Sequence, residues 1–170
     1  MYKYLGIFLL LLACQENPQP AIAATTSDTL TLSSTTYAPL QQLPANFLEN
    51  LDIDSWQDLA DLQKGVENLA TLNIESISVY LINLRGHTQK MGQNPFPDPF
   101  NIPPIRSRLK VLQMQAAKCL YFTRHYKEDS LQPALGQLFE HYNSFLNRII
   151  SVREETEALL EAPAKEKQSS

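Results

Sequence analysis

The sequence predicts an all-α protein, an antiparallel up-down bundle of about four helices behind a flexible N-terminal tether. Three observations lead there. Apolar residues recur in alternating steps of three and four, which keeps them on one stripe of a helix. Only five glycines occur in 170 residues, too few to punctuate the closely spaced turns of an all-β chain. Prolines of the body fall between the stripes or in first helical turns, where a missing N–H costs least.

The first stripe is Leu59, Leu62, Val66 and Leu69. It opens at Ser55-Trp56-Gln57-Asp58, with Ser55 as the cap and Asp58 at the positive end of the helix dipole. The second runs through Ile74, Ile77, Leu81, Leu84, Thr88 and Met91, capped by Asn73. Its opening, Ser76 to Ile82, has the β-branched and aromatic content of a strand. Helical spacing nevertheless continues to Met91, and an isolated strand would have no partner elsewhere in the body. Asn94-Pro95-Phe96-Pro97-Asp98-Pro99-Phe100 must then be extended, because residues before proline are driven out of the helical region. The third helix follows from Pro104 to Lys127, with its stripe at Ile105, Leu109, Leu112, Ala116, Cys119, Thr123 and Tyr126. The fourth has Pro133 in its first turn and a stripe at Leu135, Leu138, Tyr142, Phe145, Ile149, Val152, Thr156 and Leu159. Short links make neighbours antiparallel, with the proline-rich loop bridging helices two and three.

Ahead of this body, an apolar run from Leu5 to Leu12 follows Lys3 and closes on Leu11-Leu12-Ala13-Cys14. The run is well short of the ~20 residues that span a bilayer. The four-residue motif resembles the lipobox of bacterial lipoproteins, with a plain secretory signal as the competing reading. The resemblance implies a diacylglyceryl group on the Cys14 thiol, cleavage before Cys14 and acylation of the new amino group, the lipid being the only cofactor expected. It divides the chain into a signal peptide (1–13), a lipidated cysteine with a disordered tether (14–43), a bundle domain (44–161) and a disordered tail (162–170). The polar, Pro/Ser/Thr-rich residues 15–36 have the composition of a tether. Gln15 after the cysteine, rather than aspartate, implies by the same analogy the outer membrane of a Gram-negative cell. The stretch Phe100 to Leu112 is also similar to a helix start in small, uncharacterised helical envelope lipoproteins, a family with no established activity to carry over.

Composition bounds the function. Fourteen basic side chains against eighteen acidic ones leave a net charge of −4, and loss of Lys3 with the signal makes the mature chain one unit more acidic. Nucleic-acid binding, which shows a basic footprint, is not expected. With Cys14 lipidated, Cys119 has no intramolecular disulfide partner.

The third helix carries Arg106, Arg108, Lys110, Lys118, Arg124 and Lys127 without an acid, whereas residues 46–72 hold six acids against Lys64. Bases in a first helical turn oppose the dipole, each by a few tenths to about 1 kcal/mol. Pairing with Glu154, Glu155, Glu157 and Glu161 of an antiparallel fourth helix is the expected compensation. The alternative is that this helix faces an anionic surface such as lipid headgroups or an acidic polymer.

No phosphate loop, zinc signature, Cys-x-x-Cys pair or nucleophile elbow occurs, so no enzymatic activity and no metal site are expected. His87, Met91, His125 and His141, with Met114 and Cys119, form the alternative, a small metal- or ligand-binding bundle. The stripe positions of Met91 and Cys119 favour core packing instead. The expectation is a membrane-tethered, non-catalytic interaction or structural module of the bacterial envelope. Its partners are the membrane, through Cys14, and an envelope protein; whether it is monomeric or dimeric stays open. The candidate interaction surface is Phe96, Phe100, Arg106, Arg108 and Lys110, with folding of both phenylalanines over the bundle end as the competing placement.

Overall fold

A computed structural model describes residues 37–49, 56–71 and 76–168, with side chains through residue 159. Four α-helices and no strand occur among the described residues: α1 (Gln57–Ala70), α2 (Ile77–Gln93), α3 (Pro103–Arg124) and α4 (Glu128–Gln168). They pack in sequence, α1 on α2, α2 on α3 and α3 on α4. This is the predicted all-α bundle. Ser76 to Ile82 belongs to a helix start rather than a strand. Cys14, Ser55, Asn73 and Ile74 lie outside the described residues.

The stripes build the core. Leu62, Val66, Leu81, Leu84, Met91, Ile105, Leu112, Cys119, Leu138, Tyr142, Phe145 and Ile149 are fully enclosed. Thr88 and Thr123 are also buried, their hydroxyls donating to the Arg85 carbonyl at 2.9 Å and the Cys119 carbonyl at 3.0 Å. That local bond removes the desolvation penalty of a buried hydroxyl.

Several boundaries differ from the sequence reading. Helix α2 starts at Ile77 with Ser76 at its cap position rather than directly after Asn73, and α3 runs from Pro103 to Arg124 rather than on to Lys127. The segment assigned to a tether through residue 43 is docked by Tyr37, because Tyr37, Leu40 and Leu43 pack against the core. The bundle domain is expected to end at 161 with a disordered tail after it, but α4 continues through Gln168. The fourth helix begins at Glu128, five residues before Pro133, so Pro133 sits past the first turn and removes one helical hydrogen bond. A tight reversal explains the early start. Tyr126 takes the left-handed conformation (φ 51°), Lys127 N donates to Phe122 O at 3.0 Å, and Tyr126 N donates to Thr123 O at 3.3 Å. This paired pattern closes the end of α3 and leads directly into α4.

The docked segment 37–49 bridges α1 and α4. Asn143 of α4 holds it through Oδ1, which accepts from Gln41 N at 2.8 Å, and Nδ2, which donates to Pro39 O at 2.9 Å. Gln63 of α1 donates to Gln42 Oε1 at 2.8 Å. The Tyr37 ring meets Phe139 edge-on at 5.0 Å and rests on Gly136.

Candidate functional site

The proline-rich loop folds back over the bundle end. Phe100 stacks between Trp56 at 5.1 Å and Phe47 at 5.6 Å, and Phe96 meets Trp56 edge-on at 5.4 Å. Phe100 has no exposed surface and Phe96 only 5 %, so neither belongs to an interaction surface. Their aromatic area is consumed in closing the core. Aromatic faces there also seat two guanidinium groups, Arg106 over Phe96 at 4.6 Å and Arg153 over Phe47 at 5.4 Å.

Among the described residues the expected compensation between the start of α3 and the acids of α4 does not form; the Glu161 side chain lies outside them. Glu155 is taken by Arg148 at 2.8 Å and Glu157 by Arg153 at 2.8 Å, both within α4. One-turn and two-turn spacing on a single helix brings those partners together without ordering a neighbouring helix. Arg106, Arg108 and Lys110 pair with no acid among the described residues. Arg108 donates instead to the Pro104 carbonyl at 3.1 Å, on the α4 side of α3.

Arg106 and Lys110 face the other way, into an open groove of about 570 Å³ between α2 and α3. Arg85 of α2 joins them, and glutamines 89, 93 and 113 supply neutral polar groups. No acid lines this groove among the described residues. Gly92 shapes its floor: a Cβ there would lie 2.7 Å from Gln113 Nε2, which crosses from α3 to donate to the Thr88 carbonyl at 2.6 Å. Arg106 is held in place, with Nε donating to Asn101 Oδ1 at 2.8 Å and its plane against Phe96. The side chains of Arg85 and Lys110 make neither an ion pair nor a hydrogen bond among the described residues. Leu109, Met114 and Ala117 provide the apolar part of the lining.

Sequence reasoning singled out Arg106 and Lys110 but missed Arg85, and it placed Met114 only among the soft ligands of the alternative reading. The available signal was the absence of acids from α2 as well as α3, together with Met114 one turn beyond Lys110 on the same helix.

The soft ligands are dispersed. His87 lines a shallow α1–α2 groove, Met91 is enclosed in the core, and Met114 lines the α2–α3 groove. His125 ends α3, with Nδ1 2.8 Å from the Tyr121 carbonyl and its ring against Tyr121 at 4.1 Å. His141 lies partly exposed on α4. No group of three His, Cys, Asp or Glu residues with metal-binding geometry occurs among the described residues. Burial pushes the Cys119 thiol up to about 12, so at neutral pH it packs as an uncharged apolar group. Burial likewise raises the phenols of Tyr37 and Tyr142 above their usual range.

On fold, then, the chain is an all-helical bundle whose α2–α3 groove is lined by cations, amides and apolar side chains. Compared with known proteins, it matches no family model, no curated protein and no solved structure.

Proposed function

We propose that the chain is a lipid-anchored, non-catalytic helical module of the bacterial envelope, held at a membrane through Cys14 and presenting its α2–α3 face to an envelope component. The observation that carries the presenting role is the set of cations in the α2–α3 groove that pair with no acid among the described residues, on two helices without an acid. The anchoring role rests on Leu11-Leu12-Ala13-Cys14. Each buried acyl methylene contributes about 0.8 kcal/mol, so the combined chains of a lipidated cysteine hold a protein at a bilayer durably.

Labelling bacteria with a radioactive fatty acid tests the anchor. Wild-type chain is expected to carry label and to begin at residue 14, whereas Cys14→Ser carries none. Absence of label from the wild type, or equal label on Cys14→Ser, contradicts the reading.

A further inference from the structure

We infer that the α2–α3 face docks on the anionic phospholipid surface itself, with headgroup phosphates seated among Arg85, Arg106 and Lys110. This deepens the proposal above and rests on it only for placing the protein at a membrane. Two independent features of the same face select a lipid surface.

The first is charge. Helix α2 carries Arg85 and Lys90, and α3 carries Arg106, Arg108, Lys110, Lys118 and Arg124; neither has an acid. Lys90 is neutralised by Asp58 at 3.1 Å. The groove cations are not, although the chain as a whole is acidic. Acids concentrate on α1 and α4, among them Asp58, Asp61, Glu67, Glu140 and Glu154. Among the described residues the α2–α3 side is therefore cationic on a chain of net charge −4, and its field orients that side toward an anionic bilayer.

The second is exposed apolar surface beside those cations. Met114 is 64 % exposed in the groove wall. Ile82, 46 % exposed, precedes Arg85 by one turn on α2, and Tyr121 follows Ala117 by one turn on α3. Cations to hold phosphate, apolar side chains to enter the acyl boundary and a tyrosine at the polar interface are complementary to a lipid surface. A soluble polyanion would use the cations and leave Ile82, Met114 and Tyr121 in water.

The test uses the full chain carrying Cys14→Ser, so that no acyl group contributes and the N-terminal segment is common to every variant. Vesicles of phosphatidylcholine alone are compared with equal mixtures of phosphatidylcholine and phosphatidylglycerol by flotation, at low and high salt. The chain is expected to bind the anionic vesicles preferentially and to release with salt. Each cation near such a surface is worth roughly a fivefold change in partitioning, so Arg85→Gln with Arg106→Gln and Lys110→Gln reduces binding about a hundredfold. Arg85→Gln with Lys110→Gln alone leaves the Arg106–Phe96 contact intact and still lowers binding roughly twenty-five-fold. Ile82→Gln with Met114→Gln weakens binding at both salt concentrations. Indifference to phosphatidylglycerol, or wild-type binding by the cation variants, would overturn the inference. So would binding of polyphosphate with no vesicle binding. Loss of fatty-acid label with intact vesicle binding removes the anchor alone, and normal label without vesicle binding removes the docking surface alone.

Discussion

Asp58 ties the start of α1 to the end of α2. Its carboxylate accepts from Asn94 Nδ2 at 2.7 Å and lies 3.1 Å from Lys90 Nζ. Burial opposes its ionisation, but the hydrogen bonds from Asn94 and Lys90 and the charges of Lys90 and His87 outweigh that cost and hold its pKa below the ordinary 3.8. A carboxyl group with a depressed folded-state pKa contributes stability that is fully present above the ordinary value and is lost as pH falls through the folded value. Urea denaturation of wild type is therefore expected to weaken from about pH 4 downward. Asp58→Asn should cost about 1–2 kcal/mol at pH 7 and flatten that acid limb. An unchanged acid limb in Asp58→Asn would show that another carboxylate is responsible. At the same scale, sequence legibility ends where a stripe outruns its helix. Tyr126 continues the three-four spacing yet is 67 % exposed, because the chain reverses there and turns the side chain outward. A tyrosine gives no local warning of a left-handed residue, whereas glycine would.

Among the elements, α1 to α3 were legible because each has one buried stripe; their exact starts were not, since no side chain caps α1 at Trp56 or α2 at Ser76. The long fourth helix was legible only where it has neighbours. At about 60 Å it far exceeds the roughly 33 Å of α3, so past Val152 its stripe outruns the core of the described residues. Leu159 is 75 % exposed as a result. The docked segment 37–49 was invisible as an element, since it has no period, although Tyr37, Leu40, Leu43, Phe47 and Leu48 give it apolar side chains. Asn143 is its main polar clasp to α4, accepting from one backbone group and donating to another. Replacing it removes both bonds, so Asn143→Ala is expected to cost about 1–2 kcal/mol and to speed amide exchange at Gln41. Protection at Gln41 equal to wild type would mean that the aromatic contacts of Tyr37 and Phe47 hold the segment unaided.

For the whole molecule, the decisive property is segregation rather than amount of charge. The overall value of −4 conceals this: α2 and α3 carry +7 and no acid, α1 and α4 together −6, and the remaining −5 lies outside the four helices. The basic third helix was visible in the sequence, but which acids would answer it depended on packing: α4 satisfied its own arginines and left the groove cations open. Phe96 and Phe100 show the same limit. Their aromatic character was plain, while their role in closing the bundle end depended on Trp56 and Phe47 arriving from elsewhere in the chain.

Orientation of the anchored protein on a bilayer tests this account most directly. Cys119 is buried and its thiol pushed up to about 12, and Cys14 is occupied by lipid in the proposed mature form, so one introduced cysteine takes a fluorophore selectively. Lipid-anchored chains labelled through Met114→Cys on α3 or Glu140→Cys on α4 are placed on vesicles containing phosphatidylglycerol and brominated lipid. The account predicts quenching at position 114 by the brominated lipid and at position 140 by aqueous iodide. Equal iodide quenching at both positions, with no bromide effect at 114, would contradict it.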